Sequence, residues 1–201
     1  MESHSVNIPS KLQKSGRIRF VAYMVLVMLD QVTKTAVSHH FKLYESVKVC
    51  HGYLGIQYVM NTGLTLGLFS DTYPFPPLIT LLAIVMVTLI FRFYQKMDSP
   101  QPSASYAYLL MMSGYTGNFI DMMLFKGVRD FIIVFKMSIA NLADVFIYTG
   151  YIFLIDVVLR DGRVRTYYKK PLRNQLRDIQ TLFRFGYTEC RRIFGMKHEQ
   201  L

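Results

Sequence analysis

Cysteine is scarce. The 201 residues hold two, Cys50 and Cys190, far apart in the chain. They lack metal-ligand spacing and imply no disulfide framework, and Cys50 is expected to be an inert thiol. Internal repeats and low-complexity segments are also missing, which excludes a repeat architecture. Acidic residues are outnumbered, 13 Asp and Glu against 23 Lys and Arg, for a net charge of +10. In a soluble protein that balance invites nucleic acid. Here 52% of residues are hydrophobic and the mean hydropathy is +0.24, too apolar for an ordinary soluble domain. The basic residues then belong to cytoplasmic flanks beside anionic lipid, and no nucleic-acid partner is expected. A cleavage pattern of small residues is lacking after the apolar run Phe20 to Leu29, so that run is a retained span and not a leader.

The apolar stretches organise the chain. Spans are expected at about 18–37, from the proline-rich corner Pro74 to Pro77 to about 93, at about 106–125 and at about 139–159. Residues 38–73 instead alternate in β-rich stretches such as YESVKV and YLGIQYV, with Gly52 and Gly55, and predict a small sheet outside the bilayer. The expected fold is an all-α integral membrane protein of four transmembrane helices with a β-rich extracytoplasmic insert between helices 1 and 2. Gly114 and Gly117 permit close helix contact. The tail 161–201 is strongly basic and interleaved with aromatics, and predicts one or two interfacial helices after Pro171 that touch membrane lipid.

Within this apolar chain one region is unexpectedly polar. Gly117 to Asp144 carries three aspartates and two asparagines. Asn118 and Asp121 share a helix face, Asn141 and Asp144 repeat the spacing, and Asp130 lies in the joining turn. Asp30 and Lys34 form an i,i+4 pair near the end of the first span. A charge in hydrocarbon costs about 3 kcal/mol, so such residues face a bundle interior or a wet cavity. With both termini cytoplasmic by the positive-inside rule, Asp30, Lys34, Asn61, Asn118, Asp121, Asp130, Asn141 and Asp144 converge at the outer face. His39 and His40 have no further ligands, so no metal and no cofactor is expected. Two carboxylates sharing a proton can activate water and protonate a leaving amine. The same residue types also suit a proton- or ion-coupled transporter site, and both readings stand on the residues alone.

Five blocks then carry a resemblance. DQVTK, NTGLTLGLF, GYTGNFIDMM, GVRDF and ANLADVFIYTG occur in the order of the D-Q-x-S/T-K, N-x-G-x-A-F-x-L-F, G-x-x-G-N-x-x-D-R, V-x-D-F and F-N-x-A-D-x-x-I-x-x-G blocks. The chain thus resembles the bacterial lipoprotein signal peptidase (signal peptidase II) family over most of residues 30–144. The resemblance implies an aspartic peptidase of the cytoplasmic (inner) membrane with Asp130 and Asp144 as its catalytic pair. Asp30, Lys34, Asn61, Gly63, Asn118, Asp121 and Asn141 would support the site or the bound peptide. It further implies diacylglyceryl prolipoprotein substrates cut before the lipidated cysteine, inhibition by globomycin-type compounds, and a monomer. The division expected is a basic N-terminus 1–17, a membrane peptidase domain 18–160 and the tail 161–201. Four positions depart from the pattern. Met122 stands for the arginine after Asp121, Ala140 for the aromatic before Asn141, and Thr65 and Leu66 for the small and aromatic residues after Gly63. Arg129 or Lys34 would replace the missing arginine. These departures keep two alternatives open: a non-catalytic lipopeptide-binding paralogue, and a small transporter subunit.

Overall fold

The structure is a computed structural model that describes residues 10–49, 53–64, 68–97, 100–135, 138–162 and 172–193. Cys50, Gly52, Thr65, Leu66 and the tail segments 163–171 and 194–201 lie outside the described residues. Among the described residues nine elements follow one another: α1 (Ser10–His40), β1 (Ser46–Val49), β2 (Leu54–Asn61), α2 (Phe75–Gln95), α3 (Ser103–Phe125), β3 (Val128–Val134), β4 (Ser138–Ala140), α4 (Leu142–Arg160) and α5 (Leu172–Ile193).

Among the described residues three helical stretches, Gly16–His40, Phe75–Gln95 and Leu142–Arg160, are long and apolar enough to cross a membrane. Their outward faces are apolar: Ile18, Val25 and Val32 on α1, Leu82 and Ile90 on α2, and Ile152 and Leu159 on α4 are exposed. The expected third span, α3, is long enough at 23 residues but falls short in apolar composition. Its position gives the reason. α3 packs against α1, α2 and α4, and it buries nine residues where α2 and α4 bury three each. A helix enclosed by others can carry Ser113, Asn118 and Asp121 on buried faces.

The glycines of α3 set its distance from α4. A methyl group on Gly114 would collide with the Ala143 carbonyl and the Ile147 side chain, whereas one on Gly16 would meet nothing. Gly114→Ala is therefore expected to lower stability by about 1–3 kcal/mol, as overpacking does. Gly16→Ala should be neutral or slightly stabilising. Thermal unfolding of the two variants in detergent checks the contrast.

Two expectations need correction. The label all-α is too narrow, and the β-rich part is not confined to the insert between the first two helices. The connection after α3 supplies half of a four-stranded antiparallel sheet of order β1-β2-β3-β4. α3 stops at Lys126, whose left-handed backbone (φ 58°) turns the chain into β3. Asp130 therefore stands in a strand, not a turn, and its register partner is Val59 on β2. β4 occupies 138–140, so the fourth helix begins at Leu142 and not near 139. Between Ile56 and Val59 the β2–β3 ladder shifts register: three residues advance on β2 while two advance on β3. This bulge marks where the outer hairpin β1–β2 leaves the buried part of the sheet. β1 is exposed along its whole length, whereas Val128 to Phe131 are buried.

Candidate active site

The site begins with four buried charges that neutralise one another. Asp30 and Lys34 are one turn apart on α1, both fully buried, with Nζ 2.9 Å from the Asp30 carboxylate. The second Asp30 oxygen accepts the backbone N–H of Ala143 at 2.9 Å, which ties α1 to the first turn of α4. Gly117 on α3 leaves the room this carboxylate needs, since any Cβ there would collide with it. Asp121 pairs with Arg129 as a fork: Nε and Nη2 donate at 3.1 and 2.8 Å, and the Arg129 backbone N–H adds a third bond at 2.9 Å. Lys34 lies 3.7 Å from the same aspartate. Asp121 thus braces the start of β3 and keeps two cations despite Met122. Bidentate Arg–carboxylate geometry is among the strongest charge-assisted pairings. Nη2 also donates to Gln31 Oε1 at 3.1 Å, and Nη1 donates to Thr35 Oγ1 at 3.3 Å.

Asp130 and Asp144 sit beside this quartet, held by asparagines. Asp130 accepts from Asn141 at 2.6 Å on one oxygen and from Asn61 at 3.1 Å on the other. Asp144 accepts from Asn118 at 2.9 Å and from the Asn141 backbone N–H at 3.0 Å. Asn141 also caps α4, its side-chain oxygen accepting the Asp144 N–H at 3.0 Å, so one residue grips both carboxylates. Each carboxamide is oriented from its far end by a group that can only donate. Lys34 donates to Asn118 Oδ1 at 2.8 Å, the Asp144 N–H to Asn141 Oδ1, and the Gly63 N–H to Asn61 Oδ1 at 3.0 Å. With oxygen fixed there, the three NH2 groups must face the carboxylates. All ten residues named from the sequence thus fall into one connected network.

The two carboxylates line a cavity of about 430 Å³. Its wall includes Met122, Thr80 and a tyrosine group that sequence reading did not single out. Tyr115 and Tyr151 share a hydrogen bond of 2.6 Å, and Tyr148 stands beside them on α4. Gln31 and Thr35 were missed as well. A signal for them existed: they flank Asp30 and Lys34 at i,i+4 spacing, on the face that meets Arg129. No signal marked the tyrosines, because aromatic residues are common throughout the chain.

Burial, and second the nearby charge of Asp144, push the Asp130 carboxyl up to about 7, against the pull of its amide donors. Two close carboxylates in a desolvated site do not both ionise readily. Near neutrality the pair therefore has one proton to share. The protonated form of Asp130 is favoured by the fold, so its contribution to stability is complete below the ordinary carboxylate range and is lost as pH rises through about 7. One ionised and one protonated carboxyl facing a cavity can take a proton from water and give one to a leaving group. Among the described residues, no cluster of three or more His, Cys, Asp or Glu side chains is arranged to hold a metal ion.

A family model described as Signal peptidase (SPase) II matches residues 22–160. The lipoprotein signal peptidase of Geobacter metallireducens is 31% identical over 159 residues, 76% of this chain and 96% of its own. That of Syntrophomonas wolfei is 33% identical over 143 residues, 71% of this chain and 93% of its own. Two solved structures, each described as a bacterial membrane enzyme determined by the in meso method, are similar with a TM-score of 0.61. They are 25% and 28% identical and cover 72% of this chain and 89% and 94% of their own.

Proposed function

The chain belongs to the signal peptidase II family, and on that premise we propose that Asp130 and Asp144 remove the signal peptide from diacylglyceryl prolipoproteins, cutting before the lipidated cysteine. The observation that carries this reading is the set of three asparagines, each fixed at its oxygen and aimed at one of two carboxylates on one cavity. The ionised carboxylate takes a proton from water as the water oxygen bonds the scissile carbonyl carbon. The protonated partner hydrogen-bonds the carbonyl oxygen as it gains charge. The tetrahedral adduct collapses with transfer of a proton to the cysteine nitrogen, which leaves as the amine, and the pair regains its starting charge.

The protein is membrane-embedded, and α3 serves as the fourth span in this reading, crossing inside the bundle rather than against lipid. Both termini are then cytoplasmic and the pair lies at the outer face of the bacterial inner membrane. The substrate lipid holds the cleavage point at that surface, and the β1–β2 hairpin covers it. The peptidase domain is 18–160, acting as a monomer and open to globomycin-type inhibitors. The non-catalytic alternative rests on Met122 and Ala140; against the first, Asp121 keeps Arg129 as its partner at 2.8 Å.

The test is incubation of the purified full chain, in lipid, with a diacylglyceryl prolipoprotein and with its unlipidated precursor. The lipidated form alone should be cut, leaving the modified cysteine at the new N-terminus by mass spectrometry. An intact lipidated substrate beside a folded enzyme would remove the peptidase reading. The profile of kcat/KM with pH should be bell-shaped. Its alkaline limb falls as the pair loses its last proton, around the raised Asp130 value of about 7. Its acid limb falls when both carboxyls are protonated. A rate that keeps rising past pH about 9 would exclude a shared-proton pair.

A further inference from the structure

A second cavity, of about 610 Å³, lies at the opposite end of the helices, where α1, α2, α3 and α5 meet. Arg19, on its rim, precedes Asp30 by 11 residues of helix, about 16 Å along α1. α5 reaches this place through three contacts with α2 spaced along one face. Phe185 packs edge-on against Phe93 at 5.5 Å, Gly186 lies over Leu89, and Glu189 inserts toward Arg92 and Lys96.

Among the described residues the charges around Glu189 do not balance. Its buried carboxylate takes a hydrogen bond from Lys96 at 2.9 Å on one oxygen. The other oxygen lies 3.3 Å from Arg92 and 3.6 Å from Arg192 and makes no hydrogen bond among the described residues. Lys96 first, then Arg192 and Arg92, hold the Glu189 carboxyl below its usual range. One carboxylate thus gathers three cations. Arg19, which donates to Ser105 Oγ at 3.3 Å, adds a fourth on the same cavity. Like charges held this close repel, and a second anion would relieve them. The same cavity has an apolar wall, with Phe20, Leu109 and Met112 and the stacked Phe91–Tyr108 pair at 4.1 Å. Positive rim and apolar slot match a molecule with a phosphate at one end and hydrocarbon at the other.

We propose that this cavity binds an anionic glycerophospholipid, with its phosphate among Arg19, Arg92 and Arg192 and an acyl chain in the apolar slot. The lipid completes the joint by which α5 is fastened to the membrane helices. The site is separate from the carboxylate pair and does not depend on what that pair does.

The experiment uses the full chain, delipidated in a neutral detergent, titrated with short-chain phosphatidylglycerol, short-chain phosphatidylcholine or inorganic phosphate. Unfolding temperature and native mass spectrometry are the readouts. Phosphatidylglycerol should raise the unfolding temperature and appear as one bound lipid per chain, while phosphatidylcholine and phosphate should do neither. The Arg19→Gln/Arg92→Gln double variant should weaken phosphatidylglycerol binding about 30-fold, and the Arg19→Lys/Arg92→Lys variant should retain most of it. Equal effects of the two lipids would overturn the proposal, and so would a phosphate effect equal to that of phosphatidylglycerol. Undiminished binding by a folded Gln variant would overturn it too, and a Gln variant that fails to fold leaves the Lys variant to decide.

Discussion

Asp130→Asn and Asp144→Asn are each expected to lower kcat for prolipoprotein cleavage by about 10³-fold or more, within the range attributed to positioned acids and bases. The pair acts as a unit, so the double variant should be no worse than either single one. The network also predicts a side effect on stability. Both Asp130 oxygens accept from carboxamides, and both Asp144 oxygens accept as well, from Asn118 and from the Asn141 N–H. An asparagine at either position offers one acceptor and sets its own NH2 against a donor, at a cost of about 1–3 kcal/mol. Rates measured beside unfolding temperatures separate chemistry from folding. A well-folded variant with more than about a tenth of parental kcat would remove that aspartate from the catalytic step.

The second large effect falls on stability. Lys34→Met should destabilise the protein by about 3–5 kcal/mol, because it leaves Asp30 buried and charged. It should also slow cleavage, since Asn118 loses the donor that fixes its oxygen and its grip on Asp144 loosens. Adding Asp30→Asn should recover part of the lost stability but little of the activity. The measurement is the unfolding free energy of the parent, the two single variants and the double. A coupling below about 0.5 kcal/mol between positions 30 and 34 would contradict the buried pair.

Much of the site was legible because membrane solvation makes polar residues expensive. Asp30, Lys34, Asn118, Asp121, Asn141 and Asp144 stood out against apolar helices, and helical spacing put them on shared faces. The partner of Asp121 was narrowed to Arg129 or Lys34, and the structure supplies both. What escaped depended on long-range pairing. Nothing local in VRDFIIV says that it will pair with LGIQYVMN some 70 residues earlier, so the sequence alone puts Asp130 in a turn and shows only half of the sheet. The composition of α3 was hard to read for the opposite reason, as a helix shielded by its neighbours need not look like one that faces lipid. Glu189 was invisible in a basic tail until α5 placed it among cations of α2. Arg92 and Lys96, at the end of α2, pair with this carboxylate and so hold another helix.

The bulge in β2 has a consequence for parity. Side chains alternate along a strand, so one extra residue on β2 changes whether odd or even positions share a face. Val59 and Asn61 lie on the Asp130 face of the ladder, and beyond the bulge the even position Ile56 takes over that face through its pairing with Ile132. Deleting one residue between Ile56 and Val59 would restore a regular ladder and leave both the Asn61–Asp130 contact and the face shown by Ile56 unchanged. What the extra residue sets is the bend and twist of the β1–β2 hairpin, so a change in length there would re-aim the hairpin without turning it over.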